Sequence, residues 1–287
     1  MQSPRLSKGW LTAMDFTEDQ IGRYSRHIVL PEIGGLGQAR LLRAKVLVVG
    51  AGGLGAPLLQ YLAAAGVGTI GVIDDDVVDL SNLQRQVIHR GVDIGLPKVE
   101  SARRAVADIN PDVKTIAIAA RLTAANVLDL VRDYDIVADG SDNFATRYLL
   151  TDACYFARKP LVAAAILRFE GQISTWKAHL GAPHPCYRCV FPAPPPIDAI
   201  SSCAQAGVLG AMAGTVGAWQ ASEVVKEILG IGDSLSGTLL LYDALGSRVD
   251  RLSIAKRADC PLCGDAPSIV SLDSPLARAS YADIHRG

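Results

Sequence analysis

Residues 45–55 read KVLVVGAGGLG. After Lys45 the run is apolar and short, which suits a strand buried on both faces. Gly50, Gly52 and Gly55 follow at GxGxxG spacing, with Gly53 beside them. They lead into LGAPLLQYLAAAG, a helical stretch that Gly66 is placed to stop. Strand, glycine turn and helix in this order let a backbone approach a phosphate, whose charge the helix N-terminus attracts. Asp74 ends the next apolar run, TIGVIDDD, about twenty residues on, where an acid holds ribose hydroxyls. These residues alone leave NAD and ATP both open.

The alternation continues outward. PKVESARRAVADIN is a helix with Pro97 in its first turn, and VKTIAIAA is a third strand. TAANVLDLVRD is a helix for which Thr123 is the expected N-cap. YDIVADG, NFATRYLLTDACYFARK and PLVAAAI give strand, helix and strand. Residues 15–43 read as helical and polar-faced. Strands alternating with helices imply a Rossmann-like, doubly wound α/β sheet, mainly parallel, with ligands outside the carboxyl ends of the strands. After Ala165 the pattern changes. FEGQISTWKA and GTLLLYDALGSRVDRLSI read as antiparallel strands that extend the same sheet, and residues 208–229 form a small-residue helix. Residues 15–264 are therefore expected to be one domain. Residues 265–287 are small, polar and weakly patterned, which suggests a tail or linker.

Composition bounds the function. The chain has 287 residues, is 49% hydrophobic and carries a formal net charge of −1. No dense basic run points to nucleic acid, and no apolar run is long enough to span a bilayer. The start has no apolar signal core, so a reducing cytoplasm is expected.

The stretch DDDVVDLSNLQRQVIHRGVDIGLPKVESA follows the ribose acid. It offers Asn82, Gln84, Arg85 and Lys98 just outside the sheet. A dehydrogenase has no evident need for this polar insert. Two cations there could neutralise charge at a phosphorus centre. On spacing alone, a solvated loop with surface charges is an equal reading.

Cys186-x-x-Cys189 and Cys260-x-x-Cys263 supply four thiolates, the ligand set of a closed structural zinc site. They lie about seventy residues apart in sequence, so the metal would staple a loop to the C-terminal end. Two redox pairs are the weaker reading, because neither pair sits at a strand-to-helix start. Cys154, in a helical run, reads as a small buried hydrophobe. The histidines at 27, 89, 179, 184 and 285 have no metal spacing and read as surface or capping groups.

GAGGLG, DLSNLQRQ, PKVESA, Ser141-Asp142-Asn143 and the two cysteine pairs occur in that order. The whole stretch from about residue 23 to 264 closely resembles the molybdopterin-synthase adenylyltransferase family (MoeB/ThiF), relatives of ubiquitin-activating enzymes. The resemblance implies adenylation, with ATP, of the C-terminal glycine of a small ubiquitin-like sulfur-carrier protein ending in Gly-Gly. It implies that the glycines from 50 to 55 approach the nucleotide and that Asp74 holds the ribose. By the same resemblance Ser81, Asn82, Gln84 and Arg85 lie along the phosphates, and Lys98 stabilises charge at the α-phosphate. Asp142 would hold Mg²⁺ with Asn143 beside it, and the four cysteines would hold Zn²⁺. Arg26, in RYSRHIVL, would reach into the neighbouring subunit of a homodimer. Cys203 matches a position that some members use in sulfur transfer and others do not, so its role stays open. Sulfur would come from a separate donor protein, or the chain is a fragment of a longer one that carries a rhodanese domain.

DLSNLQRQ, PKVESA and the cysteine pairs look most like the molybdenum cofactor branch. A thiamine or cysteine pathway carrier would undergo the same chemistry. Two other classes compete. An NAD(P)-dependent oxidoreductase is favoured by GxGxxG with Asp74 and disfavoured by SNLQRQ and the zinc pairs. A non-catalytic binding subunit would be expected to lack Arg85, Lys98 or Asp142, and all three are present.

Overall fold

A computed structural model describes residues 16–195 and 206–282. Among the described residues, eight strands form one sheet in the order β3-β2-β1-β4-β5-β6-β7-β8. The first five in chain order, β1 (Lys45–Val49), β2 (Thr69–Ile73), β3 (Lys114–Ile118), β4 (Ile136–Asp139) and β5 (Leu161–Leu167), pair in parallel. The last three, β6 (Glu170–Trp176), β7 (Thr238–Asp243) and β8 (Arg248–Ser253), extend it antiparallel. Both halves of the expected sheet are therefore present.

β1 shows why this strand reads as a continuous apolar run. Val46 and Val48 face one hydrophobic cluster, while Leu47 and Val49 face the other. Successive side chains point to opposite faces, so burial on both faces leaves no polar position. Helices α3 (Gly55–Ala65) and α4 (Lys98–Ile109) contribute to the first cluster, with the long helix at Gly210–Leu229. Helices α5 (Val127–Arg132) and α6 (Phe144–Ala157) contribute to the second.

Four expectations need adjustment. Residues 15–43 do not form one helix: α1 (Glu18–Ile28) and α2 (Gly34–Arg43) are separated by a turn that contains Pro31. Proline disfavours helical backbone in the residue before it, and the Leu30 carbonyl instead closes the turn onto the Ile33 and Gly34 N–H groups. Thr123 does not cap α5. Asn126 is the cap residue, and its Oδ1 accepts from the Thr123 N–H at 2.8 Å, so a turn replaces the first helical turn. Pro97 stands just before α4 rather than inside it.

The stretch after Gly264 is not a loose tail as far as residue 282. A one-turn helix α7 (Tyr187–Val190) and the long α8 (Gly210–Leu229) precede it, and it ends in α9 (Pro275–Tyr281), which packs on α6. Ile269, Leu272 and Ala277 are buried there. Arg188, wholly buried between two of the cysteines, donates to Asp152 of α6 and to Ser280 Oγ of α9. A few widely spaced apolar side chains suffice to seat this segment, because the cysteine knuckle beside it already supplies an apolar surface.

Candidate active site

The chain leaves β1 at Gly50, whose φ of +90° favours glycine. Gly55 opens α3 so close to this turn that a Cβ there would lie 2.0 Å from the Gly50 carbonyl oxygen. The peptide at Ala51 is held from both sides. Its N–H donates to Asp74 Oδ2 at 2.7 Å, and its carbonyl lies 2.9 Å from His89 Nε2. Asp74 Oδ1 accepts from the Asp76 N–H at 2.9 Å. Burial pushes the Asp74 carboxyl above its usual value of 3.8, against the pull of those two backbone donors and of Lys98. His89 is therefore not the surface or capping group expected from sequence. It is buried beneath the glycine turn.

The turn forms one wall of a cavity of about 730 Å³ at the carboxyl ends of the parallel strands. Gly50, Gly52, Gly53 and Asp74 face it. Arg85 and Lys98 line it from the insert and from the start of α4, and Asp142 and Asn143 line it from the loop after β4. Lys98 is buried, with its Nζ 2.7 Å from Asp76 Oδ2. Asp142 is exposed in the wall. Asn143 also caps α6, since its Oδ1 accepts from the Thr146 N–H at 2.8 Å.

Other expected residues lie off this wall. Ser81, Asn82 and Gln84 do not line the cavity. Asp79 accepts from the Ser81 N–H, Asn82 Oδ1 accepts from the Asp79 N–H, and Arg85 Nη1 donates to the Ser81 carbonyl. The SNLQRQ motif thus folds as a brace that presents Arg85 and Gln86. Arg26 is exposed on α1. That helix packs through Tyr24 on Gly66 and Asn110, where the chain enters β2 and β3, at the opposite ends of the strands from the cavity. Cys203 lies outside the described residues.

Sequence reasoning missed a buried pair behind Asp142. Asp139 accepts from the Ser141 N–H and Oγ, and Arg147 Nε donates to it at 3.3 Å. An arginine among the apolar positions of α6 was the available signal. The far wall, with Glu170, Gln172, Tyr242 and Arg248, comes from β6, β7 and the start of β8. No motif marks those residues.

The four cysteines converge. Cys186 Sγ lies 3.9 Å from Cys189 and 3.4 Å from Cys260, and Cys189 lies 3.4 Å from Cys263. All four are buried, with ligand atoms within 4.8 Å of one another. A tetrahedral site with Zn–S bonds of about 2.3 Å needs sulfurs about 3.8 Å apart. The cluster is compatible with zinc. His184 does not compete for it, since its Nδ1 pairs with Ser236 Oγ at 2.8 Å. Cys154 stands apart, and burial pushes its thiol pKa up, as suits a packing residue.

A glycine turn, a ribose-type acid, two cations and an exposed carboxylate on one cavity suit a nucleotide polyphosphate. The sequence model of the ThiF family matches residues 24–262. The chain belongs to the ThiF family. The sulfur carrier protein adenylyltransferase of Thermus thermophilus is 49% identical over 257 residues, covering 89% of this chain and 95% of that protein. The SAMP-activating enzyme E1 of Haloferax volcanii is 51% identical over 246 residues, 86% of this chain and 90% of its own length. The pig (Sus scrofa) adenylyltransferase and sulfurtransferase MOCS3 is 52% identical over 257 residues. This chain spans only 56% of the length of that pig relative. The crystal structure of E. coli MccB with MccA-N7isoASN superposes with a TM-score of 0.73 at 22% identity, covering 85% of this chain and 74% of MccB. It shares the ThiF-type fold. Nothing in these relatives points to an oxidoreductase. Among the described residues, no helix is long and apolar enough to cross a membrane.

Proposed function

We propose that this chain uses ATP to adenylate the C-terminal glycine of a small ubiquitin-like sulfur-carrier protein ending in Gly-Gly, preparing it for thiocarboxylate formation. One observation carries the reading: Arg85, Lys98 and Asp142 face the same cavity as the glycine turn and Asp74. The names of the Thermus and pig relatives support it. The pathway we assign is molybdenum cofactor biosynthesis, on the likeness of DLSNLQRQ and PKVESA to that branch. A thiamine or cysteine pathway carrier would meet the same chemistry.

The carrier's terminal carboxylate attacks the α-phosphorus. A carboxylate oxygen–phosphorus bond forms, the bridge to the β-phosphate breaks, and pyrophosphate leaves. No general base is needed, because a carboxylate is ionised near neutral pH. Arg85 and Lys98 screen two mutually repelling anions and stabilise charge at phosphorus. Asp74 accepts from the ribose hydroxyls. Asp142 is the side chain that would hold Mg²⁺. A single exposed carboxylate fits that ion, which takes one or two carboxylates and completes its shell with water and phosphate oxygens. When bound, it supplies further charge neutralisation across the phosphates.

In this reading Cys186, Cys189, Cys260 and Cys263 hold a structural zinc. Two copies pair so that Arg26 serves the partner's site, which agrees with its exposed place away from its own cavity. Cys203 belongs to a later sulfur-transfer step, with sulfur from a donor protein.

ATP–pyrophosphate exchange with candidate carriers ending in Gly-Gly tests the proposal. Exchange with at least one carrier is expected. Tight NAD binding together with no exchange for any carrier would sink it. Cys203→Ala should leave exchange intact and block only sulfur transfer.

A further inference from the structure

We infer that His89 is a positioning residue for the nucleotide: it fixes the Ala51 peptide of the glycine turn by donating from Nε2. The inference rests on the nucleotide reading given above. His89 joins three separate pieces of chain. Its Nε2 meets the Ala51 carbonyl at 2.9 Å, and its Nδ1 meets Ser101 Oγ at 2.8 Å. That hydroxyl also lies 2.8 Å from Asp93 Oδ2, which accepts in addition from the Arg90 N–H. Ser101 is on α4, one turn after Lys98 and hence on the same helix face. The network therefore ties the helix that carries Lys98 to the turn that approaches the phosphates.

The direction of the Ala51 contact is fixed by chemistry. A carbonyl oxygen only accepts, so the 2.9 Å contact places the hydrogen on Nε2, which donates to Ala51. The 2.8 Å contact of Nδ1 with Ser101 Oγ holds the ring in this orientation. The nearby charged groups, Asp74 and Lys98, do not touch the imidazole nitrogens.

The Ala51 peptide is thus clamped at its N–H by Asp74 and at its carbonyl by His89. Losing either contact lets the turn rotate, so its N–H groups no longer converge on a phosphate. Lys98 keeps its own ties to Asp76, through its backbone N–H and its Nζ, so the effect falls on nucleotide binding more than on turnover.

The test compares His89→Leu, His89→Gln and Ser101→Ala with the wild type. It uses calorimetric binding of a non-hydrolysable ATP analogue, ATP–pyrophosphate exchange, and NMR of the imidazole. His89→Leu should raise the analogue Kd and the ATP KM about tenfold with a smaller change in kcat. A glutamine amide places a donor where Nε2 stands, so His89→Gln should recover most of the loss. Wild-type spectra should show a slowly exchanging imidazole Nε2–H that shifts when the analogue binds. If His89→Leu does not fold, Ser101→Ala decides: it should raise KM while leaving kcat near wild type.

An unchanged Kd in a folded His89→Leu, or equal losses in the leucine and glutamine variants, would overturn the inference. An unchanged KM in Ser101→Ala would do the same where His89→Leu does not fold. Analogue binding that depends on His89, in a protein showing no exchange with any carrier, would keep this inference and remove the functional proposal. Exchange that is indifferent to His89 would do the reverse.

Discussion

Lys98 Nζ lies 2.7 Å from Asp76 Oδ2, and the two side chains differ sharply in exposure, 7% against 68%. The ammonium is buried at the start of α4, facing the cavity, while its counter-ion stands in solvent. Asp76 is well placed to keep the ammonium paired until a phosphate takes over as its partner. A buried, positioned cation of this kind is what a phosphoryl-transfer site needs, because it requires no reorganisation during the reaction.

Lys98→Ala should therefore lower the exchange rate by about 10²–10³-fold without unfolding the chain. Asp76→Asn should leave the rate at wild-type level and should not raise the ATP KM, since asparagine no longer competes with phosphate for the ammonium. Steady-state exchange kinetics on both variants decide the matter. Equal losses in the two would mean that Lys98 serves Asp76 and not the nucleotide.

Asp74 gives a stability prediction with a definite sign. Burial raises its folded-state value above 3.8. The folded protein thus holds this proton more tightly than the unfolded chain. The stabilising contribution is complete below pH 3.8 and is lost as pH rises through the folded value. At neutral pH the ionised form is retained at some cost to stability. Asp74→Asn removes that cost, and its Oδ1 still accepts from the Ala51 N–H. The melting temperature of Asp74→Asn relative to wild type should be higher at pH 7 than at pH 4, while ATP binding falls. A relative melting temperature that rises toward acid pH would refute this account.

The parallel half of the fold was legible because burial on both faces of the sheet leaves runs such as KVLVV and TIGVI with almost no polar interruption. Gly50 and Gly55 were legible for a steric reason, one needing positive φ and the other having no room for a Cβ. His89 was not. Its partners lie 38 and 12 residues away, and only folding brings Ala51 and Ser101 to its two nitrogens. The segment after Gly264 was misread for a related reason. Ile269, Leu272 and Ala277 follow no regular period, and they are seated by a surface that α6 and the cysteine knuckle create together. SNLQRQ was half legible: Arg85 faces the cavity, whereas Ser81 and Asn82 are spent on holding its turn.

The cysteine cluster predicts how metal loss will act. Tyr155 and Phe156, near the C-terminal end of α6, pack against the thiols, while Asn143 and Asp142 stand at the other end of that helix. Fourteen helical residues span about 20 Å. Tyr187 and Phe191, beside the cysteines, reach the cavity, but Asp142 and Asn143 do not touch the thiols, so a metal held there would act mainly on stability. The purified protein should carry about one zinc per chain by elemental analysis. Stripping it, or Cys263→Ser, should lower the melting temperature by more than about 10 °C. Residual exchange at low temperature should survive. Full stability in metal-free protein would show that the thiols pack without an ion.

Residues 265–282 are seated on α6 by a buried ion pair and the hydrogen bonds around it. The Arg188 guanidinium is wholly buried, donates to both oxygens of Asp152 at 2.8 Å, and lies 4.6 Å over the Tyr148 ring. Tyr281 Oη of α9 donates to the same carboxylate at 2.6 Å, and Ser280 accepts from Arg188. Burial pushes the Asp152 carboxyl up, and the Arg188 contacts oppose that shift. Removing Arg188 alone leaves a buried charge with only Tyr281 to satisfy it. Arg188→Leu should therefore cost about 3–5 kcal/mol of unfolding free energy. Tyr281→Phe removes one hydrogen bond to a charged group and should cost about 1.5–3 kcal/mol. The double variant Arg188→Leu/Asp152→Leu should recover most of the first loss, because no unpaired charge remains. Denaturant titration of the single and double variants beside the wild type gives the coupling directly. A double variant as unstable as the sum of its singles would show that Arg188 and Asp152 act independently. The C-terminal helix would then be held by its apolar contacts alone.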